Sequence, residues 1–157
     1  MNWPHAHLAL NHFPVLGTAF VCVLLVTGWI SANQFVIRLA LAWFVLLTVI
    51  SIPIKFTGDF AYESLAKAEW IDESYISAHE QSADQATTAM FVLGLISTAA
   101  WWRHRADGAI STRWFAAVFL GAVVTFLMMA RTANLGGMLP HTEIRSAIEV
   151  SQTLRND

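Results

Sequence analysis

The sequence predicts an all-α integral membrane protein: a four-transmembrane-helix, up-down-up-down bundle with a helical outer connection and a short C-terminal amphipathic helix. Only 13% of the 157 residues are charged and 56% are hydrophobic, whereas a soluble domain carries about 25% charged residues. Four stretches, 13–30, 35–54, 85–102 and 114–133, are each close to the ~17–25 residues that a spanning helix needs. No stretch alternates apolar and polar residues with period two. Lipid admits only helices or closed barrels, because backbone groups there must pair with one another. The whole chain, 1–157, reads as a single membrane domain with no internal repeat and no low-complexity tract.

The first span opens at Asn11-His12-Phe13-Pro14. Asparagine is a good helix N-cap, and proline is tolerated in a first helical turn, where its missing N–H has no partner anyway. His12 is therefore expected on that first turn, at the membrane edge. Nothing basic precedes the span and no small-residue cleavage site follows it, so it is expected to remain in the mature chain. The single cysteine, Cys22, lies mid-span and reads as a packing thiol.

The second span carries one charge, Arg38, near its start, and the third carries none. Short connections of about 4 and 11 residues join spans one to two and three to four, which makes those pairs antiparallel neighbours. The long connection, 55–84, mixes apolar and acidic residues and suits short helices at the interface. Asp72 is a candidate cap for a helix running through Tyr75, His79 and Ala83 into span three. Gly136-Gly137 is expected to end span four in the left-handed conformation. Residues 142–154 read as the amphipathic surface helix.

Charge sets the orientation. Arg38, Arg103, Arg105 and Arg113 flank the two short connections, while 55–84 is strongly acidic. Basic loops stay in the cytoplasm. The expectation is a multi-pass protein of a bacterial cytoplasmic (inner) membrane with both termini periplasmic. Trp29, Trp101, Trp102 and Trp114 suit the inner aromatic belt, Trp3 and Trp70 the outer one, and Trp43 internal packing.

That topology places five of six histidines at the outer face: His5, His7, His12, His79 and His141, with His104 opposite. Imidazole is the commonest metal ligand among side chains. The candidate ligands are His12, His79, His141 and His7. Around them stand Glu80, Glu143, Glu63, Asp84, Arg131 and Asn11 as supporting groups, since a carboxylate beside a ligating histidine fixes its tautomer. Arg131 either snorkels to lipid headgroups or pairs with an outer carboxylate or a haem propionate.

The segments His7-Leu-Ala-Leu-Asn-His12-Phe-Pro-Val-Leu-Gly17, Thr57-Gly58 with Ala61 and Glu63, His79-Glu80, and Leu135-Gly136-Gly137 with His141-Thr-Glu143-Ile-Arg145 resemble those of a group of small four-helix bacterial inner-membrane proteins without an assigned activity. The resemblance covers nearly the whole chain. It implies that His7, His12, His79 and His141 are family features and that His5 and His104 are not. Asp59-Phe60-Ala61-Tyr62 departs from the Glu-Pro-Ala-Glu of the group, which weakens a ligand role for Glu63.

Three functions fit this pattern. The first is a membrane redox subunit holding haem b, with His12 and His79, or His79 and His141, as the axial pair, and with the small residues Gly17, Ala83 and Ala86 leaving room for a porphyrin. The second is a non-haem site for copper, iron or zinc. The third is a non-catalytic accessory subunit of a respiratory or photosynthetic complex. Partners are the lipid bilayer, other membrane or periplasmic redox proteins and a quinone. No Cys-x-x-Cys-His is present for covalent haem, no phosphate loop or nucleophile elbow appears, and no basic stripe suggests nucleic acid.

Overall fold

In the computed structural model, residues 2–65 and 73–138 are described, and they form five helices. These are α1 (Trp3–Leu10), α2 (His12–Ile30), α3 (Gln34–Leu65), α4 (Glu73–Asp107) and α5 (Thr112–Gly137). No strand occurs among the described residues. Helices α2, α3, α4 and α5 form a closed ring in which each touches its two neighbours and the diagonals stay apart, while α1 lies along α3. Chain-consecutive members run antiparallel, as short connections require.

Each helix presents one stripe to the ring's interior, with spacings that alternate three and four. On α1–α2 it is His7, Asn11, Pro14, Thr18, Val21, Leu25 and Gly28. On α3 it runs Ile37, Ala40, Phe44, Leu47, Ser51, Ile54, Gly58, Ala61, and on α4 Ile76, His79, Ala83, Ala86, Met90, Leu93, Ser97, Ala100, His104. On α5 it is Val118, Ala122, Thr125, Met129, Thr132 and Gly136. A three-four alternation keeps one seam facing a partner, as in coiled coils and helix bundles. Phe44, Leu25, Ile37, Leu41, Met90 and Leu93 fill the centre, and alanines and glycines between them let the backbones approach.

The outward faces are apolar and open, with Leu95 73% and Leu120 63% exposed. Three helical segments are long and apolar enough to cross a bilayer: Trp3–Ile30, Gln34–Glu63 and Thr112–Gly137. Helix α4 is long, at 35 residues, but more polar along its length.

Several local expectations change. The connection 55–84 holds no separate interfacial helices among its described residues; α3 runs on to Leu65 and α4 begins at Glu73. Apolar length measures a membrane crossing, not a helix, and Lys55 and Asp59 pair one turn apart on the extended α3. Pro53 removes the bond to the Val49 carbonyl without ending α3. Asn11 does not cap α2: its backbone is itself right-handed helical, and its side chain makes no capping bond. Pro14 breaks the ladder four residues back, so α1 and α2 part at a single residue. Gly136 and Gly137 lie inside α5 rather than ending it left-handed. Trp43, expected to pack internally, is 40% exposed. Asp72, Trp70 and the expected helix at 142–154 lie outside the described residues.

Candidate functional site

A cavity of about 540 Å³ opens at the end of the bundle that holds the start of α1, the end of α5 and the start of α4, and all five helices line it. Its distinctive feature is one bundle layer made of two histidines and two glycines: His7 on α1, Gly58 on α3, His79 on α4 and Gly136 on α5. The imidazoles of His7 and His79 face one another with centroids 6.5 Å apart and planes at 79°.

The same device seats both rings. His79 Nδ1 lies 3.0 Å from the Thr132 carbonyl of α5. The glycine four residues on, Gly136, lies beneath the ring, where an added Cβ would stand 2.9 Å from Cε1. His7 Nδ1 lies 3.2 Å from the Ile54 carbonyl of α3 and 3.3 Å from the Thr57 hydroxyl. Gly58, again four residues on, would bring a Cβ to 3.0 Å from that ring. A helical side chain leans toward the N-terminus and covers the turn before it. A glycine at i+4 therefore uncovers the carbonyl at i for a side chain from the next helix. The bundle uses the device a third time deeper down, where Thr48 donates to the Met90 carbonyl at 3.1 Å beside Gly94.

A carbonyl only accepts, so each neutral ring carries its proton on Nδ1 and leaves the Nε2 lone pair for a ligand. This is the arrangement metal-bound histidines use, with the second nitrogen donating to a backbone carbonyl. Thr57 donates to the Ile54 carbonyl at 2.8 Å. Thr132 donates to the Met128 carbonyl at 3.0 Å, which leaves Ser82 to donate to Thr132 at 2.8 Å. Burial pushes the His79 pKa below its ordinary 6.5, opposed by the Thr132 carbonyl and reinforced by the nearby His7. Both effects that lower it favour the neutral, ligating form.

The other sequence candidates take different places. His12 is off the inward stripe and exposed, at the edge of the cavity. Glu80 lines the cavity, whereas Glu63 and Arg131 are exposed. Asp84 pairs with Lys55 at 2.8 Å, joining α3 to α4 rather than supporting an imidazole. Asn11 lines the cavity with its side-chain oxygen buried and without a hydrogen bond. Ala83 and Ala86 line the cavity, but Gly17 lies against Leu47 on the outer side of α2. His141 and Glu143 lie outside the described residues. The pair brought together is thus His7 with His79. The stripe phase carried that signal in the sequence, because both histidines fall on it and His12 does not. His104 falls on it too, at the far end of α4, buried and 2.9 Å from Gln34.

Among the described residues no group of three or more histidine, cysteine, aspartate or glutamate side chains could hold a metal ion. Comparison with protein families, with curated proteins and with solved structures returns no match to this chain.

Proposed function

We propose that this protein is a four-span electron-transfer protein of a bacterial inner membrane, holding a b-type haem between His7 and His79. The facing imidazole pair carries the reading. His7 and His79, with ring centres 6.5 Å apart, would hold the group through the Nε2 atoms that their Nδ1 contacts leave free. Both rings have Nδ1 anchored, and the cavity between them is of the size that holds cofactors, about 300–1,000 Å³. When bound, the haem supplies a one-electron couple.

The protein's own part is to fix both rings, keep them neutral and wall the pocket with apolar side chains. Two imidazoles suffice as protein ligands for a haem, whereas a bare copper, iron or zinc ion needs further donors. That difference favours haem over the non-haem alternative.

The four-span topology rests on α4 lying antiparallel between α3 and α5 with a charge-free centre, 85–102. Two of its three threonines are tolerable in lipid because they bond back on their own helix, Thr88 to Asp84 and Thr98 to Gly94, each at 2.8 Å. The arginine-bearing end faces the cytoplasm. The cavity and both termini then face the periplasm, where redox proteins of the membrane or periplasm exchange electrons with the site.

The reduced-minus-oxidised visible spectrum of protein purified in mild detergent tests the proposal. A haem band is expected in the wild type and in His5→Ala, and is expected to vanish in His7→Ala and His79→Ala. A wild type without the band overturns the reading. Stoichiometric copper, iron or zinc in that same sample would favour the non-haem site instead.

A further inference from the structure

A second concavity, of about 440 Å³, lies on the outer side of the seam between α2 and α3. Gly17 lets Leu47 pack onto the α2 backbone, and an added Cβ at Gly17 would stand 2.7 Å from Leu47 Cδ2. The two form a floor between the exposed side chains of Phe13, Phe20 and Trp43. The groove follows α2 from His12 to Phe20, eight helical steps or about 12 Å along the axis. Its walls are apolar except at the outer end, where His12 stands.

His12 lines this groove and also the cavity that holds His7 and His79. It is exposed, off the inward stripe, and at the boundary of the apolar stretch. A ligand here meets a long apolar slot open to lipid, one hydrogen-bonding imidazole at the aqueous edge, and a redox site on the imidazole's other side. A phospholipid's ester or phosphate oxygens would also accept from this imidazole, so it is the neighbouring electron-transfer site that selects a quinone.

We infer that this groove binds a lipid-soluble quinone, with a ring oxygen hydrogen-bonded to His12 and the isoprenoid tail lying along Gly17 toward Phe20 and Trp43. The inference builds on the electron-transfer reading by naming its membrane partner. Binding itself requires no haem, so the two fail separately: the visible spectrum reports on one and the groove's own tryptophan on the other.

The test uses the full chain in lipid nanodiscs, titrated with a short-tailed ubiquinone analogue while tryptophan fluorescence is followed. A saturable quench is expected above the linear background that partitioning gives to all seven tryptophans. Trp43→Phe removes the saturable part. His12→Leu weakens apparent affinity about 3- to 10-fold, the worth of one hydrogen bond, while His12→Gln, which can still donate, recovers most of it. Thermal melting of each variant reports that the bundle is intact. A saturable quench that survives Trp43→Phe, equal affinity in wild type and His12→Leu, or displacement by an alkyl chain lacking the quinone ring each overturns the assignment.

Discussion

Gly58 and Gly136 do for this site what the histidines cannot do alone. A helix carbonyl is normally screened by the side chain one turn further on, and each glycine removes that screen beneath an imidazole. Alanine at either position restores a methyl group inside contact distance of the ring. Helix propensity favours the change by up to about 1 kcal/mol, and overpacking opposes it by about 1–3 kcal/mol. The two nearly offset at best and leave a net loss of about 2 kcal/mol at worst, so the expected outcome is a variant that still melts cooperatively, at or up to roughly 8 °C below the wild type, while the visible band is lost or altered. Melting curves and visible spectra of Gly58→Ala and Gly136→Ala check this; an unchanged spectrum would show that the glycines do not seat the rings. Asn11 was expected to cap a helix from its residue type, yet its buried oxygen lacks a hydrogen bond and the residue lines the same cavity.

Among the elements, the inward stripes explain more than the apolar runs. An apolar run records lipid, which covers the outside of a helix; the three-four stripe records its neighbours. On α4 the stripe carries His79 and His104 at opposite ends of one seam; His104 is fully buried, while His79 is half-buried and lines the cavity. The turns follow similar local rules. Helix α2 ends with Asn33 N–H on the Gly28 carbonyl at 2.9 Å and Ala32 N–H on the Trp29 carbonyl at 3.1 Å, the pattern of a Schellman end. Ala32 takes the left-handed position at φ 51°. Asn33 then caps α3 through its side-chain oxygen, at 3.1 Å from Phe35 N and 3.2 Å from Val36 N. A left-handed alanine costs about 1–2 kcal/mol, and glycine gives back about 0.4–1 kcal/mol through a more flexible unfolded chain. Ala32→Gly is therefore expected to stabilise the protein by up to about 1 kcal/mol, seen as a melting temperature raised by ~2–4 °C. A fall in melting temperature would contradict the strain argument.

For the molecule as a whole, the ring α2–α3–α4–α5 makes the cavity a product of topology. His7 and His79 are 72 residues apart in sequence and come together because the intervening helices α2 and α3 run antiparallel and return the chain to the same end of the bundle. In a Cys22→Ser background, His5→Cys and Glu63→Cys should label with an impermeant maleimide on intact cells, while Ala109→Cys should label only after permeabilisation. Labelling of positions 5 and 63 from opposite sides would dismantle both the four-span arrangement and the shared pocket. The Lys55–Asp84 pair joins α3 to α4 beside that pocket.

The sequence alone determined the helical class, the apolar stretches and the gathering of His7, His12 and His79 toward one end, because composition and hydropathy are local properties of a chain. It also held the stripe phase that separates His7 and His79 from His12, although residue type drew attention to His12 first. Only the tertiary structure decided which two imidazoles face each other, which carbonyls hold their second nitrogens and why glycine is needed four residues on. Those are distances between helices, and a one-dimensional pattern fixes which face a residue occupies but not what stands across from it.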